Sequence, residues 1–434
     1  MMFNLKYPTS EIDSKSYINM RNILMILFVY ANNCFGNLVG VSKLPSAINL
    51  PSGKIIENVY QWEKYGRKEW ITIFEKEMYG KLPDVDWKVD YKLIETDTMA
   101  LDGKAIRKQI KTVFKIGAKT KSVDYLIFIP KKNVKATFVY MNFRGNFTIC
   151  FDKEVPAIKW YHNTEWERLE NGSAESYRGL KAYRLPVDYI INNGYAVITA
   201  NYNQFYLDSF PDGQNGYRNS FCEMFFEADN QIPVNERGQA IATWAWGYSR
   251  MMDYIEIDND ISTKKAIAVG HSRLGKTVLW AGVLDKRFEL VISSCSGSLG
   301  AAITRDKTGE TLERTVTYRP HWFARNLNKY ISNYNGLPFD QHILLSLIAP
   351  RSLYVNSASE DMGAAPYFEY KSIRNIRDIY ERLYGFNTSF PDEIEQNEPI
   401  YKDRIGYHVR AGKHEILFFD WKNYIKYANY VFNK

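Results

Sequence analysis

A mostly parallel β-sheet with helices on both faces is the architecture predicted by this sequence, and three features predict it. Strand-like segments recur at residues 108–116, 123–129, 136–142, 195–200, 288–293, 351–357 and 405–409. From residue 235 onward they alternate with helical patterns, which places parallel strands side by side and crossover helices on the sheet faces. At the centre, residues 266–269 run through Gly270-His271-Ser272-Arg273-Leu274-Gly275 into Thr277-Val278-Leu279-Trp280-Ala281: a strand, a sharp turn and a buried helix.

Residues 1–19 are polar and irregular, and Met20-Arg21-Asn22 then opens directly onto the apolar run 23–31. A basic residue, about nine apolar ones and then small or polar residues form a secretory signal pattern too short to span a bilayer. The expectation is an exported protein, secreted or periplasmic, with residues 1–40 as leader and Met20 as an alternative start. An N-terminal anchor is the competing reading. Residues 41–434 are expected to form a single catalytic domain, opening with an N-terminal wrap over 41–83 that carries a helix at 67–79.

Residues 150–185 are loop-rich, with Trp160, Trp166 and Arg184 placed to line a cleft, and a further polar loop passes through Pro211-Asp212-Gly213. Helices are expected at 235–255, where Ala240, Trp244, Met251 and Tyr254 recur at helical spacing, at 366–383 and at 420–432.

The 434 residues carry a net charge of +7 that is spread along the chain, so a solvated surface explains it better than a nucleic-acid footprint. The four cysteines, Cys34, Cys150, Cys222 and Cys295, lack metal-ligand spacing, and neither a metal nor an organic cofactor is expected. With 32 Tyr and 10 Trp, the chain has aromatic faces to set against sugar rings.

A serine on the central turn is held clear of both elements, and flanking small residues let the backbone bend tightly enough to expose its hydroxyl. That is the nucleophile elbow of α/β-hydrolases, with the second glycine one residue late, at Gly275. In that fold the acid and then the histidine follow the serine along the chain. Asp361, beyond the strand at 351–357, is preferred to Glu360 because a shorter carboxylate is easier to hold rigidly against an imidazole. His414, in the loop beyond the last strand, is preferred to His408 within it. Amides at the start of the elbow helix and the charge of Arg273 would face the oxyanion, and residues 143–147 are a candidate loop for a further donor.

Gly270-His271-Ser272-Arg273-Leu274-Gly275-Lys276 resembles the Gly-x-Ser-Arg-x-Gly-Lys signature of the glucuronoyl esterases, carbohydrate esterase family 15. Similar motifs precede it at Ile241-Ala242-Thr243-Trp244-Ala245-Trp246-Gly247 and follow it at Pro320-His321-Trp322-Phe323, Leu337-Pro338-Phe339-Asp340-Gln341-His342 and Ile348-Ala349-Pro350-Arg351. The resemblance implies Ser272 as nucleophile, Arg273 as oxyanion arginine and His414 as base. It further implies Lys276, Glu310 and, less directly, Trp322 as groups that hold a glucuronate ring.

Two departures stand out. Many members carry a glutamate where this chain has Cys295, and some place the acid one strand later, which matches Asp361. Members often have a tryptophan two residues beyond that aspartate, where this chain has Gly363, and Leu299 replaces a common glycine. The resulting expectation is a monomeric serine esterase acting on glucuronic-acid esters that link glucuronoxylan to lignin alcohols, with no nucleic-acid partner and no membrane span in the mature form. The alternatives are an acetyl or feruloyl xylan esterase with the same triad, and a catalytically decayed carbohydrate-binding homologue.

Overall fold

The computed structural model describes residues 43–157, 174–208, 216–307 and 309–432. The leader pattern, Cys34, Trp160, Trp166 and the loop at 211–213 lie outside these residues. The described strands are β1 (Trp87–Met99), β2 (Ala105–Ile116), β3 (Lys119–Pro130), β4 (Thr137–Asn142), β5 (Ala196–Asn201), β6 (Ala266–His271), β7 (Phe288–Ser294), β8 (Ser352–Ala358), β9 (Ile400–Lys402) and β10 (Ile405–Arg410). They form one sheet in the order β1-β2-β3-β5-β4-β6-β7-β8-β10-β9. From β5 to β10 every neighbouring pair is parallel, whereas β1, β2 and β3 form an antiparallel ribbon at one edge and β9 runs antiparallel at the other.

The sequence of the central strands explains why both sheet faces are covered. Side chains alternate across a strand, and β6 is buried throughout. Ala266 and Ala268 join one core cluster, with Trp244 of helix α2 (Ala240–Ile257) and Trp280 of helix α3 (Arg273–Leu284). Ile267 and Val269 join a second cluster, with Trp421 and Tyr424 of the C-terminal helix (Phe418–Phe432). β4 divides in the same way, Val139 and Met141 facing the first cluster and Phe138 and Tyr140 the second.

The N-terminal wrap covers the outer side of the first cluster. Helix α1 (Arg67–Phe74) continues as a wider turn over Glu75–Tyr79 and ends at Gly80, whose φ of 74° is the left-handed conformation glycine adopts without a Cβ clash. Tyr79 stacks on Trp280 at a centroid distance of 4.6 Å, and the Trp70 indole donates to the Ala47 carbonyl at 2.8 Å. The elbow helix is thereby clamped between the sheet and the wrap.

Several elements differ from expectation, among them one strand and two helices. β1 was not anticipated, although Trp87, Val89, Tyr91 and Leu93 alternate strictly with Lys88, Asp90 and Lys92; such charges suit an edge strand exposed to water. The helix predicted from 235 starts at Ala240, because the Gly238 amide donates to the Lys81 carbonyl at 2.8 Å and Lys81 pairs in the chain direction with Arg237. The helix predicted over 366–383 stops after Arg374, where the Asn375 side chain bonds the Lys371 carbonyl at 2.7 Å; a short second helix follows at Arg377–Tyr380.

Gly270, the last strand position but one before the serine, has no room for a side chain: a Cβ there would lie 2.0 Å from the Leu274 carbonyl oxygen. Gly270→Ala is expected to destabilise the fold by ~3 kcal/mol or more and to remove turnover, measured by denaturant unfolding alongside an ester assay.

Candidate active site

β6 ends at His271 and α3 begins at Arg273, so one residue makes the whole turn. Ser272 adopts φ 60° and ψ −126°, a conformation that non-glycine residues occupy only where their surroundings impose it. Its amide donates to the Ser294 carbonyl at the end of β7 (2.8 Å), and its carbonyl accepts from the Gly275 amide (2.8 Å). Gly275 lets the helix sit against β7, since a Cβ there would lie 2.9 Å from that of Ser296. The hydroxyl is left at the carboxyl end of the parallel strands, where ligands bind in open α/β sheets.

Ser272, His414 and Asp361 come together there. Ser272 Oγ lies 2.8 Å from His414 Nε2, and His414 Nδ1 lies 2.5 Å from Asp361 Oδ2. The imidazole is 44% exposed and the carboxylate 7%, so the ring faces outward while the carboxylate sits behind it. Asp361 Oδ1 also accepts from the Ala364 amide at 3.2 Å.

The loops bearing Asp361 and His414 are joined by two backbone bonds, Ser359 N–H to Arg410 O (2.8 Å) and Glu360 N–H to Gly412 O (2.9 Å). Arg410 then pins the histidine loop from inside, donating to the carbonyls of Ala411 (2.9 Å), Lys413 (2.8 Å) and Glu415. Of the alternatives, His408 is fully buried between Tyr354 Oη (2.7 Å) and Asp420 (2.8 Å), and the Glu360 side chain is exposed.

Arg273 points to a carboxylate that the sequence reading did not single out. Asp208, in the loop after β5, is 2% exposed and pairs with the Arg273 guanidinium. His321 Nε2 (2.7 Å) and the Trp322 indole N–H (2.9 Å) meet its other oxygen. Burial opposes the charge on Asp208, but Arg273 and these donors hold its pKa well below the usual carboxylate range. Arg273 itself is stacked 5.0 Å from the Trp322 ring and stays 26% exposed. Trp322 is 4% exposed. Asp208 lies seven residues beyond β5, and no spacing in the sequence links it to Arg273. Phe143 of the candidate donor loop lines the same pocket, 6.0 Å from Arg273, while the Gly145 amide is already engaged by Asn142 Oδ1 at 2.7 Å.

Lys276 is buried one turn into α3 and donates to the carbonyls of Ser296 (2.5 Å) and Ser298 (2.6 Å). Glu310 Oε2 lies 3.8 Å from its Nζ and is 36% exposed, so the acid rather than the lysine presents polar surface to the cleft. Burial lowers the Lys276 pKa and Glu310 raises it. Beneath this floor Glu369 accepts from Ser357 Oγ (2.6 Å), the Gly297 amide (2.9 Å) and Ser296 Oγ (3.3 Å). Complete burial outweighs these bonds and pushes its carboxyl up to about 7.

Cys295 is buried near Asp361 and His414 in a small apolar cluster with Ala358 and Ala364, and Gly363 leaves the wall next to Asp361 without a side chain. Under His414 lies the ring of His271 at 4.6 Å. Burial first, and the neighbouring His414 and arginines after it, hold His271 well below its ordinary pKa, so it packs as a neutral ring.

Fold and site together define an α/β-hydrolase built for carboxylic ester hydrolysis. The chain is 37% identical to a promiscuous carbohydrate esterase family 15 enzyme from a marine bacterial metagenome, covering 91% of this chain and 98% of that one with a TM-score of 0.82. A glucuronoyl esterase from Solibacter usitatus is 34% identical over 91% of this chain and 99% of its own, with a TM-score of 0.81. Carbohydrate esterase MZ0003, from an unknown prokaryotic organism, shares 38% identity over 89% of both chains. A family model described as glucuronyl esterase, fungi, matches residues 172–384. The chain therefore belongs to carbohydrate esterase family 15, the glucuronoyl esterases, and is a carboxylic ester hydrolase. No helix among the described residues is long and apolar enough to cross a membrane.

Because the folded-state pKa of Glu369 is raised to about 7, its contribution to stability is full below the unfolded value near 4.5 and is lost as pH rises through 7. Relative to Glu369→Gln, the wild-type protein should lose roughly 3 kcal/mol of unfolding free energy between pH 4.5 and 8, read from urea melts of both proteins.

Proposed function

We propose that the protein hydrolyses esters of glucuronic acid and its 4-O-methyl ether, the bonds that join glucuronoxylan to lignin alcohols, through an acyl-enzyme on Ser272. The observation that carries this reading is the unbroken relay from Ser272 Oγ through His414 to Asp361, set on a turn whose next residue is a partly exposed arginine. His414 takes the serine proton as Oγ attacks the ester carbonyl, and it returns that proton to the departing alcohol; water then repeats the sequence in reverse. Asp361 holds the imidazole in the tautomer that leaves Nε2 free to accept, and it stabilises the imidazolium that forms.

The negative charge that develops on the carbonyl oxygen falls to Arg273 and the first amides of α3, whose N–H groups have no acceptor within the helix. A cation anchored by Asp208 needs little reorganisation during the reaction, which is where such stabilisation gains its several kcal/mol. On the sugar side, Glu310 is placed to accept from ring hydroxyls, Lys276 supplies the charge of the floor, and Trp322 with Arg273 shapes the wall. A 4-O-methyl-glucuronoyl methylesterase of Phanerochaete chrysosporium, 40% identical over 38% of this chain and 40% of its own length, supports the substrate class. Export is supported by the apolar run at 23–31 behind Arg21.

A second reading, a broader ester range that includes acetyl or feruloyl xylan, is favoured by the promiscuous relative and by the wall that Gly363 leaves open. Benzyl glucuronate and acetylated xylan assayed side by side decide between them: a higher kcat/KM on the glucuronate ester is expected, and a preference for acetyl would defeat the substrate assignment. Ser272→Ala should abolish turnover with an unchanged melting curve. Asp361→Asn should lower kcat by ~10³–10⁴, whereas Cys295→Ala should leave it within about twofold; the reverse outcome would move the acid to another residue.

A further inference from the structure

Three loops meet behind the cleft, one after β7, one after β8 and one after β10, and each brings one metal-ligating side chain. Cys295 Sγ, a carboxylate oxygen of Asp361 and a ring nitrogen of His414 all lie within 4.8 Å of one another. The geometry points to a reversible inhibitory site for a thiophilic divalent cation of the zinc class, bound by Cys295, Asp361 and His414 at the heart of the catalytic relay.

The donor set suits that ion. Zinc takes sulfur at about 2.3 Å and nitrogen or oxygen at about 2.0–2.2 Å in a tetrahedron, which spaces its ligand atoms roughly 3.3–3.7 Å apart. The widest separation, up to 4.8 Å, must close by roughly 1.1–1.5 Å, while His414 Nδ1 and Asp361 Oδ2, now 2.5 Å apart, must open by about 1 Å. His414 can supply that movement, since it stands on a loop and its ring is 44% exposed. The same exposure gives an entry path and leaves the fourth position to water.

Thiolate and carboxylate together neutralise the ion, as a buried site requires. Burial first, and then Glu369, Asp420 and Asp361, hold the Cys295 thiol well above its ordinary pKa, with Arg410 opposing them, so the ion has to displace a firmly held thiol proton. A field dominated by carboxylates favours an incoming cation. Magnesium and calcium, which prefer six or more oxygen ligands, find no such shell here.

Binding replaces the thiol proton, which leaves to solvent, and fills a lone pair of the imidazole. If the metal sits on Nδ1, the ring proton moves to Nε2 and the base faces Ser272 as a donor; if it sits on Nε2, that nitrogen is blocked directly. Either way His414 can no longer accept the serine proton. The inhibitory part of the inference rests on His414 as the base, whereas the site itself does not.

The test uses the full-length enzyme in chelator-free buffer. Zinc chloride should inhibit the wild type reversibly, with activity restored by EDTA, and magnesium chloride should have no effect. Cys295→Ala should raise the half-inhibitory zinc concentration by more than the ~10–100-fold that loss of an outer-sphere partner costs. Cys295→Ser, closer in size, repeats the comparison if the alanine variant fails to fold. Cobalt(II) added to the wild type should give a near-ultraviolet thiolate-to-cobalt charge-transfer band that is missing from both variants. Equal zinc inhibition of wild type and variants, or no band in the wild type, would overturn the site. A Cys295-dependent band with undiminished turnover would overturn the inhibitory claim and, with it, His414 as the base.

Discussion

Everything in the cleft depends on how closely β6, α3 and β7 approach one another around Ser272. The serine keeps its positive φ because there is no alternative path: the Leu274 carbonyl occupies the space where a Cβ at Gly270 would go, and Ser294 holds the serine amide. Local strain of this kind, about 1–3 kcal/mol, persists only where the surrounding packing over-determines it. Here that packing extends outward through Trp280 and Tyr79 to the N-terminal wrap, and through alternate residues of β6 to both cores. The hydroxyl is positioned by the whole sheet rather than by its neighbours alone.

The electrostatics follow the same pattern of fixed partners. Two cations stand on one helix turn, Arg273 and Lys276, and neither is left to find its own position. Arg273 is tethered by a carboxylate that also organises His321 and Trp322, so one buried charge sets the attitude of three cleft residues. Lys276 is tied to two backbone carbonyls of the loop after β7, and Glu369 grips that loop from below. The cleft floor is thus a polar network in which nearly every member is held by something outside the cleft, an arrangement that favours a single geometry.

The parallel sheet, the elbow and the meeting of Ser272, Asp361 and His414 were legible because each rests on local signals: apolar runs, small residues at a turn, and a polar residue just past a strand. His414 could be separated from His408 because an in-strand histidine in a buried strand has to find buried partners, and His408 has them in Tyr354 and Asp420. Asp208 was not found, since its significance lies in a contact with Arg273 across 65 residues that no periodicity reports. β1 was missed although its apolar and charged residues alternate from Trp87 to Leu93, and the helix breaks at Gly238 and Asn375 depend on one backbone hydrogen bond and one side-chain bond. The proximity of Cys295 to the acid and base was equally invisible, because the three residues share no sequence spacing.

The two backbone bonds that tie Asp361's loop to that of His414 also bear on how such a site changes over generations. With the imidazole fixed from one side, the ends of β7 and β8 stand as two sockets facing the same ring, one holding Cys295 and the other Asp361. A carboxylate standing in either socket would lie within reach of the same ring, whereas the serine, held by the whole sheet, has no second position.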